Sequence, residues 1–142
     1  MRALLDVNVL IALLDADHAS HVSASTWFVA HARSGRASCP ITENGCIRIM
    51  SHAGYPNSVP GRVVMERLAE ACASPLHHFW PDDVSLLDPS VADFERIHGP
   101  RPLTDVYLLA LAVHNGGQFV TFDSAVPMSA VRAAKKSQLV VL

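Results

Sequence analysis

Residues 3–14 read ALLDVNVLIALL, and this stretch decides the fold. Ala3–Val7 is a short apolar run, which predicts a buried β-strand with the carboxylate of Asp6 near its end. Val9–Leu14 follows at once and predicts a short helix. A buried strand that passes directly into a helix is typical of α/β proteins with parallel sheets.

The rest of the chain repeats this alternation. Further strands are predicted over Ala37–Cys39, Leu76–Trp80, Gln118–Phe122 and Gln138–Leu142. Further helices are predicted over Ala19–Arg33, Ile41–Ser51, Val63–Ala73, Ser90–Ile97 and Val106–Val113, the last of them apolar on all sides and therefore buried. The expected fold class is α/β: a central, mostly parallel sheet of four or five short strands, flanked by helices in three layers.

Composition limits the classes of protein that need to be considered. A chain of 142 residues that is 50% hydrophobic and 17% charged suits one compact domain, residues 1–142. The net charge of −2 argues against binding nucleic acid through overall basicity. Three cysteines without C-x-x-C spacing favour a reducing, cytoplasmic location. The longest apolar run, residues 106–113, is too short to span a membrane, so no membrane association is expected.

Four acidic residues, far apart in the sequence, are predicted to meet at one edge of the sheet. Asp6 and Asp123 lie at the carboxyl ends of predicted strands. Glu43 and Asp105 lie in the first turns of predicted helices that would begin at the same edge. In open parallel sheets this edge lines the binding crevice.

Such a cluster of carboxylates requires neutralisation. Two unit charges about 4 Å apart repel by roughly 4 kcal/mol at an effective dielectric constant near 20. Protons or divalent cations relieve this repulsion, and ligation by oxygen alone favours Mg²⁺ or Mn²⁺. A carboxylate cluster that holds one or two of these ions is typical of enzymes that cut phosphodiesters through a metal-activated water.

Each acid also has a simpler interpretation. Glu43 and Asp105 could interact only with the dipoles of their helices, and Asp123 could only begin a turn. Asp6 is harder to explain in this way, because an unpaired carboxylate within a hydrophobic strand–helix passage is costly to bury. The four positions together favour a metal site more strongly than any one of them does.

Several motifs resemble a known family. LLDVNVLIAL (4–13), PITENGCIR (40–48), FWPDD (79–83), LTDVYLLALA (103–112) and VTFD (120–123) occur in the order and spacing of the PIN-domain ribonucleases. The sequence is most similar to the VapC-type toxins of prokaryotic toxin–antitoxin operons, and the resemblance extends over essentially the whole chain.

The resemblance implies a function for the acidic residues and their neighbours. Asp6 and Asp105 match the family positions that bind Mg²⁺, with Mn²⁺ as a substitute, and Glu43 and Asp123 complete the catalytic quartet. The polar residues that match the family's ligand-orienting positions are Asn8 and Thr121. The resemblance also implies that the protein forms a homodimer and binds a cognate VapB-type antitoxin. It further implies cleavage of structured RNA, transfer or ribosomal, which stops translation and growth.

Two further residues are candidates for RNA contacts. Arg48 lies five residues beyond Glu43 and could flank the site, although a solvated helix charge is an equal interpretation. Tyr55 lies in a predicted loop and could stack on a base.

Other classes of function remain as alternatives. The acidic edge could be a non-catalytic module that binds arginine side chains of a partner. A phosphoryl-receiving domain also places acids at strand ends, but it needs a lysine near the carboxyl end of its last strand. In this chain Lys135 and Lys136 lie before the last predicted strand instead. A zinc site at His18 and His21 is not favoured, because no third ligand is evident near them. His77 and His78 would face opposite sides of a strand, so they could not bind the same ion. Cys46 is predicted on the apolar face of a helix, which fits a buried thiol.

Overall fold

The computed structural model describes all 142 residues and contains one sheet of five short parallel strands. The strands are β1 (Ala3–Leu5), β2 (Arg36–Ser38), β3 (His77–Phe79), β4 (Gln118–Thr121) and β5 (Leu139–Val141). Their order in the sheet is β3-β2-β1-β4-β5. The predicted parallel α/β fold is therefore confirmed, with β1 in the centre.

Five α-helices cover the sheet: α1 (Val7–Leu14), α2 (His21–His31), α3 (Pro40–Met50), α4 (Gly61–Cys72) and α5 (Leu103–His114). The sequence placed Val7 in the first strand, whereas the structure places it at the start of α1. The cause is local: the Asp6 carboxylate accepts a hydrogen bond of 2.7 Å from the Val7 N–H and so caps the helix. The site residue Asp6 thus marks the change from strand to helix.

Alternating side chains of the central strands face the two helical layers. Leu4 and Phe119 point to the side of α5 and belong to a core that includes Leu108 and Leu111. Leu5 and Val120 point to the opposite side, where they pack with Val9 of α1. The three-layer arrangement follows from this alternation.

The predicted helix over Ser90–Ile97 is wrong. Only Phe94–Arg96 forms a short 3₁₀ turn, and Ala92 pairs with Val131 in an isolated antiparallel bridge. The Asp93 N–H donates to the Ala130 carbonyl instead of to a preceding turn. Together with the bond from the Arg132 N–H to the Val91 carbonyl, this pairs the segment with residues 130–132, which a local helical pattern cannot reveal.

The strand order brings the carboxyl ends of β1 and β4 side by side. The Asp6 N–H still bonds to the Val120 carbonyl at 2.9 Å, so the end of β1 is fixed against β4. Residues that directly follow these two strands consequently share one edge of the sheet. None of the helices has the length and apolar character that crossing a membrane requires.

Candidate active site

Asp6 is the most buried acidic side chain at this edge, with 8% of its surface exposed. One carboxylate oxygen accepts the N–H of Val7, and the other accepts the hydroxyl of Thr121 at 2.7 Å. Burial raises the pKa of Asp6, these two hydrogen bonds lower it, and the charge of Asp123 raises it. Burial is the strongest of these effects, so the carboxylate gains from any cation that reaches it.

Thr121 connects Asp6 with Asp123. Its buried hydroxyl donates to Asp6 and also accepts the Asp123 N–H at 3.1 Å. The Asp123 carboxylate is exposed and accepts the Ala125 N–H at 2.7 Å. These bonds place the Thr121 hydroxyl between the two aspartates, and its role in orienting metal ligands stays a prediction.

Asp105 is the third acid of the group. It lies in the first turn of α5 and is half-buried. Burial first, and then the charges of Asp6 and Asp123, raise the pKa of Asp105 to about 6. The three aspartates therefore form one electrostatic unit that favours a proton or a cation, and we call them the aspartate cluster.

Glu43 lies in the first turn of α3, as predicted, but its carboxylate points into a different set of side chains. It accepts a hydrogen bond of 2.5 Å from the Ser38 hydroxyl and lies beside Cys72 and His77. The structure thus brings three of the four predicted acids together, and the participation of Glu43 stays a prediction.

Glu43, Cys72 and His77 form the one group of three or more metal-ligating side chains whose ligand atoms all lie within 4.8 Å of one another. The carboxylates of the aspartate cluster are spaced more loosely. This group was not predicted from the sequence, because Glu43 in α3 is far along the chain from Cys72, at the end of α4, and from His77, at the start of β3. The only feature of the sequence that pointed to this group was His77, which was predicted in a strand with its side chain facing away from that of His78.

The remaining candidates lie on the surface. Asn8 is exposed in the first turn of α1, next to Asp6 in the chain. Arg48 and Tyr55 line one surface cavity of about 330 Å³ together with His52. The Tyr55 hydroxyl donates to Asp15, and burial together with this bond raises the pKa of Tyr55 to about 12. Their predicted contact with RNA stays a prediction.

Cys46 agrees with its interpretation as a buried thiol. It is fully buried in α3, and burial raises its pKa to about 12. A thiol with this pKa is almost entirely protonated at neutral pH and is a poor nucleophile. Cys46 is therefore not a candidate nucleophile for hydrolysis.

The parallel five-stranded sheet between helices, with aspartates at its carboxyl edge, defines a PIN-like domain. A solved structure with this fold is that of Mycobacterium tuberculosis VapC20, a sarcin-ricin loop cleaving toxin. It matches with a TM-score of 0.62 and 14% identity, covering 93% of this chain and 98% of the other. This likeness concerns the fold.

Sequence relatives then define the family. Ribonuclease VapC44 of Mycobacterium tuberculosis is 47% identical over 142 residues, which is the whole of both chains. Ribonuclease VapC39 of the same organism is 43% identical over 131 residues, or 92% of this chain and 94% of the relative. No protein-family model matches the chain. The chain belongs to the VapC family of ribonucleases.

Proposed function

We propose that this protein is a Mg²⁺-dependent endoribonuclease, with Mn²⁺ as a substitute, and the toxin of a toxin–antitoxin pair. Its substrate is structured RNA, transfer or ribosomal, and cleavage inhibits translation and growth. The observation that carries the proposal is the aspartate cluster, in which burial and mutual repulsion raise the pKa of Asp6 and of Asp105. A protein keeps such a destabilising arrangement where a bound cation compensates for it.

The donors of the aspartate cluster fit Mg²⁺. Asp6, Asp105 and Asp123 offer only oxygen atoms, which hard divalent cations prefer. These three residues would hold the ion, and Glu43 would complete the site directly or through a water. When bound, the ion supplies an activated water and stabilises negative charge on the phosphate and the leaving oxygen.

The surrounding residues fix the ligands before RNA arrives. Thr121 and the N–H of Val7 hold both oxygens of Asp6, so this carboxylate has little freedom to lose when the ion binds. Asn8, which is exposed in the first turn of α1 next to Asp6, would help to orient the ligands. The residues that contact RNA beyond the scissile phosphate are Arg48, as a phosphate-binding cation, and Tyr55, as a stacking ring.

The proposal is tested by incubating the purified protein with total RNA in Mg²⁺, in Mn²⁺ and in excess EDTA. We expect discrete fragments with either metal and none with EDTA, and sequencing of the new 5′ ends identifies the cleaved RNA. Binding of an arginine-rich peptide without any cleavage would instead support the non-catalytic interaction module. Because the chain carries no strong overall positive charge, removal of the metal is expected to reduce activity to background.

We propose that a VapB-type antitoxin neutralises the toxin and that the toxin forms a homodimer. A cavity of about 350 Å³ lies between α1, α2, α4 and β2, and 10 of its 14 lining residues are hydrophobic. Val29, at its rim on α2, is 76% exposed. A large accessible apolar side chain beside an apolar cavity suits an amphipathic segment of a protein partner.

Val29→Glu is expected to weaken antitoxin binding by at least about tenfold, because it places a charge at the rim of this cavity. Ala30→Glu is the matched control, since it adds the same charge at the next exposed position of α2. The measurement is co-purification and affinity with the product of a short reading frame upstream of the toxin gene. Equal affinity of both variants would place the antitoxin elsewhere.

A further inference from the structure

We propose that Glu43, Cys72 and His77 form a binding site for Zn²⁺ that is chemically distinct from the aspartate cluster. One carboxylate oxygen, one thiol sulfur and one imidazole nitrogen all lie within 4.8 Å of one another. The site goes beyond the proposed ribonuclease activity, in which a hard cation binds the three aspartates and Glu43 completes that site. Zinc bound beside Cys72 and His77 would therefore compete with that activity for Glu43.

The three ligand atoms face one point, and the Ser38 hydroxyl marks it. Ser38 Oγ lies 2.5 Å from Glu43 Oε1, 2.7 Å from His77 Nε2 and 3.9 Å from Cys72 Sγ. An ion at this position would require the Ser38 hydroxyl to turn away from it. The fourth ligand is then a water or the same hydroxyl.

The distances between the three ligand atoms suit zinc once the atoms move slightly closer together. Zinc bonds of about 2.0–2.3 Å in a tetrahedron separate the ligand atoms by roughly 3.3–3.8 Å. The present spacing within 4.8 Å therefore requires the atoms to approach by at most roughly 1.5 Å, which side-chain rotation permits. No movement of the helices or the sheet is required.

The donor set selects the metal. Sulfur, nitrogen and carboxylate oxygen are the usual ligands of Zn²⁺, whereas Mg²⁺ prefers oxygen alone. On binding, Cys72 releases its thiol proton to the buffer, and the thiolate together with the Glu43 carboxylate balances the charge of the ion. The aspartate cluster offers no sulfur or nitrogen and so competes poorly for this metal.

The scaffold around the site supports binding. The ligands come from the start of α3, the end of α4 and the start of β3, so the fold fixes their backbones. The nearby cation of Arg36 is engaged elsewhere, donating to the Ala71 carbonyl and lying over the Phe28 ring. It therefore does not occupy the position of the ion.

The test uses Co²⁺ as a spectroscopic probe for the zinc site, in the full-length protein with excess Mg²⁺ present. We expect a thiolate-to-cobalt charge-transfer band that saturates at one equivalent and disappears when Zn²⁺ is added. Cys72→Ser should remove the band, and His77→Gln should weaken Co²⁺ and Zn²⁺ binding by more than about tenfold. His78→Gln, on the exposed face of the same strand, is the matched control and should bind as the wild type does.

The proposal is overturned if the wild type shows no such band, or if Cys72→Ser retains it. Zn²⁺ should also raise the melting temperature of the wild type and of His78→Gln, but not that of Cys72→Ser. Asp105→Asn, which disrupts the aspartate cluster, should keep the cobalt band. A ribonuclease-inactive protein with an intact band would contradict the proposed function and leave the zinc site supported.

Discussion

Asp105→Asn is expected to abolish RNA cleavage, with a loss of more than about a hundredfold, while making the metal-free protein more stable at pH 7. The loss of activity follows because the amide is a poor ligand for a hard divalent cation and carries no charge to balance it. The gain in stability follows first because burial disfavours the charge of Asp105, and then because this charge repels those of Asp6 and Asp123.

The size of the gain can be bounded from the pKa. A rise from 3.8 to about 6 corresponds to about 3 kcal/mol, at roughly 1.4 kcal/mol for each pH unit. Because Asp105 is only half-buried, solvent screening reduces the expected gain to about 1–2 kcal/mol. For a domain of this size, that is a rise in melting temperature of about 3–8 °C.

The control is Asp88→Asn, the same chemical change at a fully exposed loop position whose turn with Ser90 an asparagine also forms. It should leave cleavage unchanged. Asp6→Asn should match Asp105→Asn in activity but gain less stability, since Asp6 accepts hydrogen bonds on both oxygens. Cleavage near the wild-type rate by either site variant would show that the aspartates have been assigned the wrong role.

Periodicity was sufficient to predict most of the architecture, because the central strands and helices such as α5 bury apolar side chains. Helix α5 shows this best: six of its residues are buried, as expected of a helix without a polar side. The meeting of Asp6 and Asp123 at one edge of the sheet was also predictable, since both residues follow parallel strands. These two strands are adjacent in the sheet. These features depend on local pattern and on the general geometry of parallel sheets.

Features that depend on contacts between distant segments were not predictable. The segment 90–97 has helical composition, yet Asp93 bonds to Ala130 and its carboxylate lies near Arg132. The position of Glu43 on its helix was correct, but the direction of its carboxylate depends on Ser38, at the end of a neighbouring strand. Side-chain direction at a helix start is decided by such partners, and their identity lies elsewhere in the chain.

The second prediction concerns pH. The metal-free wild type should lose stability relative to Asp105→Asn as the pH rises from about 4 to about 6, and the difference should then remain constant. The folded state holds the Asp105 proton up to a pKa of about 6, whereas the ordinary pKa of an aspartate, which applies in the unfolded chain, is 3.8. Between these values the folded state binds more protons than the unfolded state, so the free energy of unfolding falls with rising pH.

The measurement is urea unfolding of both proteins at several pH values between about 4 and 7.5, in EDTA and in Mg²⁺. Comparison of the two proteins removes the contribution of other titrating groups, such as Asp15 and His77, whose pKa values are lowered. In EDTA the difference should grow from near zero to about 1–2 kcal/mol. Above pH 6, saturating Mg²⁺ should restore the stability of the wild type, because the ion replaces the proton as the partner of the charged cluster. It should not stabilise Asp105→Asn in the same way. A difference that does not change with pH would mean that Asp105 titrates normally, and the electrostatic basis of the proposed metal site would then be lost.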